Sequence, residues 1–338
     1  MDRLSELLAQ RDWLMLDGAT GTNLFAMGLE AGEAPELWNI SAPDRIRALH
    51  DGFIEAGSDL ILTNSFGGTR YRLKLHEAQD RVAELNGAAA RIARERADAA
   101  GRPVIVAGSV GPTGEIMQPV GTLSHTDAVA AFREQMRALI DNGADVVWAE
   151  TISSEEEFRA AAEAADAEGA PFCGTLSFDT NGRTMMGVTS SAFAGLARTV
   201  PGAPIAFGAN CGTGAPDLLR TVLGLTAAAP EAAVIAKANA GIPRYVEGQI
   251  EYDGTPELMA RYARLARDAG ARLIGGCCGT KPEHLVAMRA ALQAHTPGER
   301  PTLDRIRAEI GEFTSATDGT GEASPERAGG RRSRRRAG

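Results

Sequence analysis

A chain of 338 residues with 44% hydrophobic and 23% charged side chains can bury a substantial core, either as one large α/β barrel or as two smaller domains. Its formal net charge of -9 speaks against nucleic acid or an anionic membrane as the main partner, since both reward a basic face, and favours a small-molecule substrate. The opening MDRLSELLAQRDWLML is charged where a secretory signal would be apolar, and no apolar run approaches the roughly 18 residues of a membrane span, so the expected location is the cytoplasm. In that reducing compartment the four cysteines are expected to hold a metal or do chemistry rather than form disulfides.

In chain order, short apolar runs recur as LMLD (14–17), LILTN (60–64), VIVAGS (104–109), VVWAE (146–150), FCGTLSF (172–178), IAFGANC (205–211), VIAKANA (234–240) and LIGGCC (273–278). They are nearly continuous rather than alternating, which suits parallel strands covered on both faces. Between them lie helical segments. In SAPDRIRALHDGFIEAG, Ser41 is placed to cap, Pro43 sits in the first turn, Ile46, Leu49, Phe53 and Ile54 share a face, and Gly57 ends the helix. The same helix end, glycine and strand start return in EAGSDLILT, DNGADVVWA and DAGARLIGG. Eight strands alternating with helices over this length predict a (β/α)8 TIM barrel rather than an open doubly wound sheet.

Residues 111–127, GPTGEIMQPVGTLSHTD, lack periodicity and are long for such a connection, so they read either as a lid over the barrel mouth or as an irregular surface loop. FDTNGRTMMGVTSS, after the fifth strand, lies on the same face. The barrel is expected to occupy residues 1–312, and 313–338 to form a disordered tail, by composition, that ends in Arg331, Arg332, Arg334, Arg335 and Arg336. That charge run reads as solvated, or as a contact for RNA or an acidic partner.

Cys211 closes the sixth predicted strand, and Cys277 and Cys278 close the eighth, so all three converge on one barrel mouth. Neighbouring strand residues point to opposite sides, so Cys277 and Cys278 can share an ion only where the strand breaks into a turn. The glycines at 275, 276 and 279 permit one. Three thiolates with one exchangeable position suggest a catalytic zinc, and no paired CxxC knuckles of a structural zinc occur. Buried apolar cysteines, an iron-sulfur cluster or a vicinal disulfide are the rival readings. Cys173, inside the fifth strand, reads as core.

At the mouth, DGATGTN places Asp17 where it could bind a cation or a substrate ammonium, with Gly18 and Gly21 allowing close backbone approach. It is a poor phosphate loop, with no Lys and no GxGxxG spacing. Glu150 is a second carboxylate there, with pairing to a helix arginine as the plain alternative for both. None of the histidines has ligand-like spacing; His50 and His76 read as helix residues, and His125, His284 and His295 as loop or helix-end residues.

DGATGT, the GANC around Cys211, NAG at 239–241 and the GGCCGT around Cys277 and Cys278 resemble the homocysteine S-methyltransferase family over about residues 12–293. That family includes betaine-homocysteine methyltransferase and the homocysteine-binding domain of cobalamin-dependent methionine synthase. The resemblance implies a zinc enzyme on a (β/α)8 barrel, with Cys211, Cys277 and Cys278 as ligands and homocysteine as the methyl acceptor. It also implies that Asp17, the Gly18 backbone and Glu150 hold the amino acid end, that Asn239 offers zinc an oxygen before substrate arrives, and that Asn210 supports the site from behind. The implied donor is betaine or a related methyl onium. Trp38 matches an aromatic that would line a betaine site, whereas Gly67 stands where betaine enzymes carry a tyrosine. Thr280 and the TNSF and NAG stretches look closer to methionine synthase. The alternative is a stand-alone homocysteine-activating subunit taking its methyl group from a corrinoid protein partner, and a different class again is a zinc-containing scaffold barrel. Self-association as a homo-oligomer is left open.

Overall fold

Each apolar run becomes a strand of one parallel sheet: β1 (Leu14–Met15), β2 (Leu60–Leu62), β3 (Ile105–Val110), β4 (Val146–Ile152), β5 (Phe172–Leu176), β6 (Ala206–Cys211), β7 (Ala233–Ala238) and, further on, β10 (Ala271–Gly276). The computed structural model describes residues 2–246 and 249–319. The sheet order is β1-β10-β7-β6-β5-β4-β3-β2, so strands adjacent in the sheet are consecutive among the eight, and the sheet curls into a nearly closed α/β barrel. The sequence pattern missed a two-stranded antiparallel hairpin, β8 (Pro243–Val246) with β9 (Gln249–Tyr252), set between β7 and β10. These strands are only four residues each, too short for the alternation test.

Strand residues divide by parity. Leu14, Leu60, Leu62, Ile105, Ala107, Val146, Trp148, Cys173, Ala206, Ile235 and Leu273 cluster with Leu4, Leu7 and Leu8 of the first helix, Arg3–Gln10. Their neighbours Met15, Ile61, Val106, Val147, Val234 and Ile274 belong instead to the larger cluster shared with the surrounding helices. Alternate residues therefore fill the barrel and its outer layer, which is why the runs had to be apolar throughout. Cys173 is fully buried in this packing, and burial pushes its thiol pKa far up.

The seam between β1 and β2 is made largely by side chains. Asp59 N donates to Met15 O at 2.7 Å, Asp59 Oδ2 accepts from Met15 N at 2.9 Å, and Asp17 Oδ2 accepts from Leu62 N at 2.7 Å. Arg11 and Arg289 hold Asp59 at 2.7 and 2.6 Å. The second copy of the repeated motif does the same with Asp145, which accepts from Val106 N at 2.8 Å and pairs with Arg94 and Arg3. The glycine three positions before β2 and β4 is required by backbone shape, with φ of +102° at Gly57 and +112° at Gly143.

The helix Pro43–Glu55 buries Ile46, Leu49, Phe53 and Ile54. Its N-cap is Ala42 rather than Ser41, whose hydroxyl donates to Leu37 O at 3.1 Å and stays with the preceding turn. The long loop after β3 ends at Ser124, which caps the helix His125–Ile140, and Met117 bridges to Leu123 within it. Packing runs on past residue 312. Phe313 lies under Arg220 at 4.7 Å and Arg307 at 5.6 Å, and the Thr314 hydroxyl donates to Asp217 at 2.7 Å. Small polar residues dock here through hydrogen bonds without apolar bulk. The arginine-rich stretch expected to be disordered, 320–338, lies outside the described residues. Among the described residues no helix is long and apolar enough to cross a membrane.

Candidate metal centre

β7 runs between β6 and β10, and this brings the cysteines together. Ala238 pairs with Cys211 on one side and with Gly276 on the other. Cys277 N then donates to Ala238 O at 2.7 Å, and Ala240 N to Cys278 O at 2.9 Å. β10 ends at Gly276, and the chain turns at once, with Thr280 N on Cys277 O at 3.0 Å and Gly279 at φ +78°. Strand alternation is thereby lost, and both cysteines face one point. Cys211 itself adopts φ +61°, a conformation rare for a residue with a side chain. Its Sγ lies 3.8 Å from Cys278 Sγ, and all three sulfurs fall within 4.8 Å of one another.

These residues fit a soft divalent ion. Tetrahedral ligands at about 2.3 Å put sulfur atoms about 3.8 Å apart, the spacing seen for Cys211 and Cys278. Asn239 strengthens the fit. Its amide nitrogen donates to Gly212 O at 2.9 Å, yet its buried Oδ1 has no hydrogen-bond partner among the described residues, a lack that costs on the order of 1–3 kcal/mol unless something accepts the lone pairs. Without a cation the thiols resist ionisation together. The contact with Cys277 favours a Cys211 thiolate, but Cys278 and burial outweigh it and Cys211 is pushed up to about 12. Asn210 stands behind the cluster. Its Oδ1 accepts from Thr151 N at 2.9 Å and Thr175 Oγ1 at 2.7 Å, and its Nδ2 points to Cys277 Sγ at 3.7 Å.

Beside the sulfurs lies a buried charge cluster that the sequence analysis had only in part. Asp17 is fully buried, and both its oxygens are engaged, Oδ2 by Leu62 N and Oδ1 by Lys237 Nζ at 2.7 Å. Burial disfavours the Lys237 ammonium, but Asp17, then Glu150 and Cys277, outweigh it, and its pKa is raised. Glu150, two residues before the end of β4, accepts from the Ser109 hydroxyl; burial raises its pKa, against the pull of Lys237. Gly18 packs so closely that an added Cβ would meet Thr280 O at 2.6 Å. Lys237 was passed over as part of an apolar run. The signal was available, because a lysine inside such a run needs a buried anion.

Trp38 is not brought to the sulfurs in the same way. It is buried, its ring lies 4.5 Å from the Arg45 guanidinium, and it lines a cleft of about 250 Å³ with Glu33, Leu37, Ile40 and Arg81, a cleft that none of the cysteines lines. Gly67 N donates to Glu36 Oε1 at 2.6 Å, and an added Cβ at Gly67 would press on that carboxylate at 2.9 Å. Tyr252, also unanticipated, covers the cysteine turn, since a Cβ on Gly279 would fall 2.3 Å from its ring.

Comparison with known proteins agrees with this geometry. The family model described as homocysteine S-methyltransferase matches residues 14–292. A methionine synthase from Mycobacterium tuberculosis is 30% identical over 308 residues, covering 86% of this chain but 25% of the relative, so the chain spans about a quarter of that protein's length. The metallated form of the homocysteine methyltransferase MmuM from Escherichia coli superposes with a TM-score of 0.68 at 28% identity, covering 85% of this chain and 99% of that one. A methyltransferase from Methanosarcina mazei, at 15% identity and a TM-score of 0.52 over 86% of this chain and 97% of its own, shares the fold. With its barrel, its clustered cysteines and a family match that spans most of its length, this chain belongs to the homocysteine S-methyltransferase family.

Proposed function

We propose that Cys211, Cys277 and Cys278 hold a zinc ion and that the enzyme forms methionine by moving a methyl group from a small methyl onium donor, such as betaine, to the sulfur of homocysteine. The observation that carries this reading is the set of three sulfurs within 4.8 Å of one another beside Asn239 Oδ1, which has no partner among the described residues. A soft three-sulfur set with one further position suits zinc of the catalytic type. Bound there, zinc would let the homocysteine thiol lose its proton near neutral pH and present a thiolate.

The chain's own residues then position that sulfur. Asn239 Oδ1 would be available as a further ligand to the ion before the substrate thiol arrives, and Asn210 would orient Cys277. Glu150 has one oxygen on Ser109 and the other left to accept the substrate ammonium. Asp17 and the Gly18 backbone wall the amino acid end beside it. The sulfur lone pair forms the new S–CH3 bond while the electrons of the donor–CH3 bond leave with the donor, which loses its positive charge. The free thiols suit a reducing compartment, and the cytoplasm is the location they support.

A corrinoid protein as donor is the second reading. It is favoured by the methionine synthase relative, of which this chain covers 25%, and by exposed Phe25, Ile116, Val120, Met185 and Met186 in the segments that follow β1, β3 and β5. Betaine in particular is less well served, because the Trp38 ring already carries Arg45. Purified protein given homocysteine with betaine, dimethylsulfonioacetate, S-methylmethionine or methylcobalamin separates these donors, and methionine from none of them removes the reading. Cys278→Ala tests the scaffold alternative: loss of turnover with the fold intact supports catalysis, and loss of the fold supports a structural ion.

A further inference from the structure

We propose that Lys237 is a specificity-determining residue that pairs with the α-carboxylate of the substrate and so selects an amino-acid thiol over other thiols; this rests on the homocysteine reading above. Lys237 sits on β7 between Asn210 of β6 and Gly275 of β10, one residue before the Ala238 that the cysteine strands flank. It is 1% exposed. An ammonium group has three N–H donors, and among the described residues Nζ makes one hydrogen bond, to Asp17. Two donors remain at the bottom of the mouth.

A buried ion pair is weak evidence of a stabilising role, because apolar side chains of similar volume often serve the fold as well. The charge sits where a ligand would use it. Asn210, which pairs with Lys237 across the sheet, accepts from Thr151 N, next to Glu150, and points its Nδ2 at Cys277 Sγ at 3.7 Å, so Lys237 shares one neighbourhood with the carboxylate assigned to the substrate's amino group and with a sulfur of the metal centre. Homocysteine carries its ammonium and carboxylate on one carbon, three bonds from its sulfur. Its binding site therefore needs an anion, a cation and a sulfur-binding centre close together. Glu150, Lys237 and the cysteine cluster are such a set. A thiol without a carboxylate would leave the Lys237 donors unpaired in a buried site, and unmade buried hydrogen bonds are what give polar pockets their discrimination.

The test uses full-length protein with cobalt(II) in the metal site, so that thiol binding is read from thiolate-to-cobalt absorption rather than turnover. Homocysteine is compared with 3-mercaptopropylamine, which differs by lacking the carboxylate. The wild type is expected to bind homocysteine more tightly by on the order of 10-fold or more, the weight of a charge-assisted hydrogen bond. Lys237→Met is expected to lose that preference, with homocysteine weakened and the amine thiol unchanged. Equal weakening of both thiols, or of neither, overturns the proposal. If Lys237→Met does not fold, Lys237→Met with Asp17→Asn removes both charges together and is read in the same way. Absence of a homocysteine signal in the wild type sinks the homocysteine reading itself, an outcome distinct from a preference that survives without Lys237.

Discussion

Cys211 Sγ and Cys278 Sγ stand 3.8 Å apart although 67 positions separate them, because β7 runs between the strands that carry them. Removing one sulfur leaves two, too few to hold an ion with an exchangeable position. Cys278→Ala, purified without chelator, is expected to carry well under one metal ion per chain by elemental analysis, with its far-ultraviolet circular dichroism retained. Asn210→Ala keeps all three sulfurs but frees Cys277 from its partner, and competition with a chromogenic chelator should show metal affinity lowered about 10- to 100-fold.

Glu150→Gln keeps the bond from Ser109 and the side-chain shape while removing the charge. The expected result is a rise in the KM for homocysteine of on the order of 10-fold, with a smaller change in kcat, because an interaction with the ammonium contributes mainly to binding. Steady-state kinetics with homocysteine varied at saturating donor checks it.

Gly279 has φ +78°, and a methyl group there would meet the Tyr252 ring. Gly279→Ala is expected to cost about 1–3 kcal/mol from backbone strain alone, with the clash added, and to lower metal content by shifting Cys278. Thermal unfolding with and without added zinc reads both effects.

His50 is buried with neither ring nitrogen partnered among the described residues, and burial, against the pull of Asp17 and Asp51, lowers its pKa from 6.5 to about 4. Above the unfolded value of 6.5 the ring is neutral in both states and contributes no pH dependence. As pH falls from 6.5 towards 4, the unfolded chain takes up a proton that the folded chain refuses, and about 3 kcal/mol of stability is lost. Urea unfolding of wild type and His50→Leu at pH 7 and pH 4.5 checks this: the variant should lose less stability across that interval.

The barrel strands were legible because each is buried on both faces and so announces itself as an apolar run. The meeting of Cys211 with Cys277 and Cys278 was legible too, since parallel strand ends share one mouth. What escaped were side-chain pairings that the order of the strands does not announce. Lys237 looks like an interruption until Asp17 is placed beside it, and Asp59 looks like ordinary punctuation until Met15 N is seen on its carboxylate. Trp38 shows the reverse case, an aromatic whose ring faces its own neighbour Arg45. The short hairpin that brings Tyr252 over the cysteine turn offered too few residues for any periodicity.

The stitching of β1 to β2 by aspartates also bears on how the wall yields. Every other junction spreads its load over several main-chain bonds, whereas this one hangs on a handful of contacts at Met15, Asp17, Asp59 and Leu62. It is the line along which the cylinder would unroll. Because Asp17 is one of the stitches and also grips Lys237, a tear there would reach the buried charge cluster beside the cysteines before the rest of the molecule had loosened.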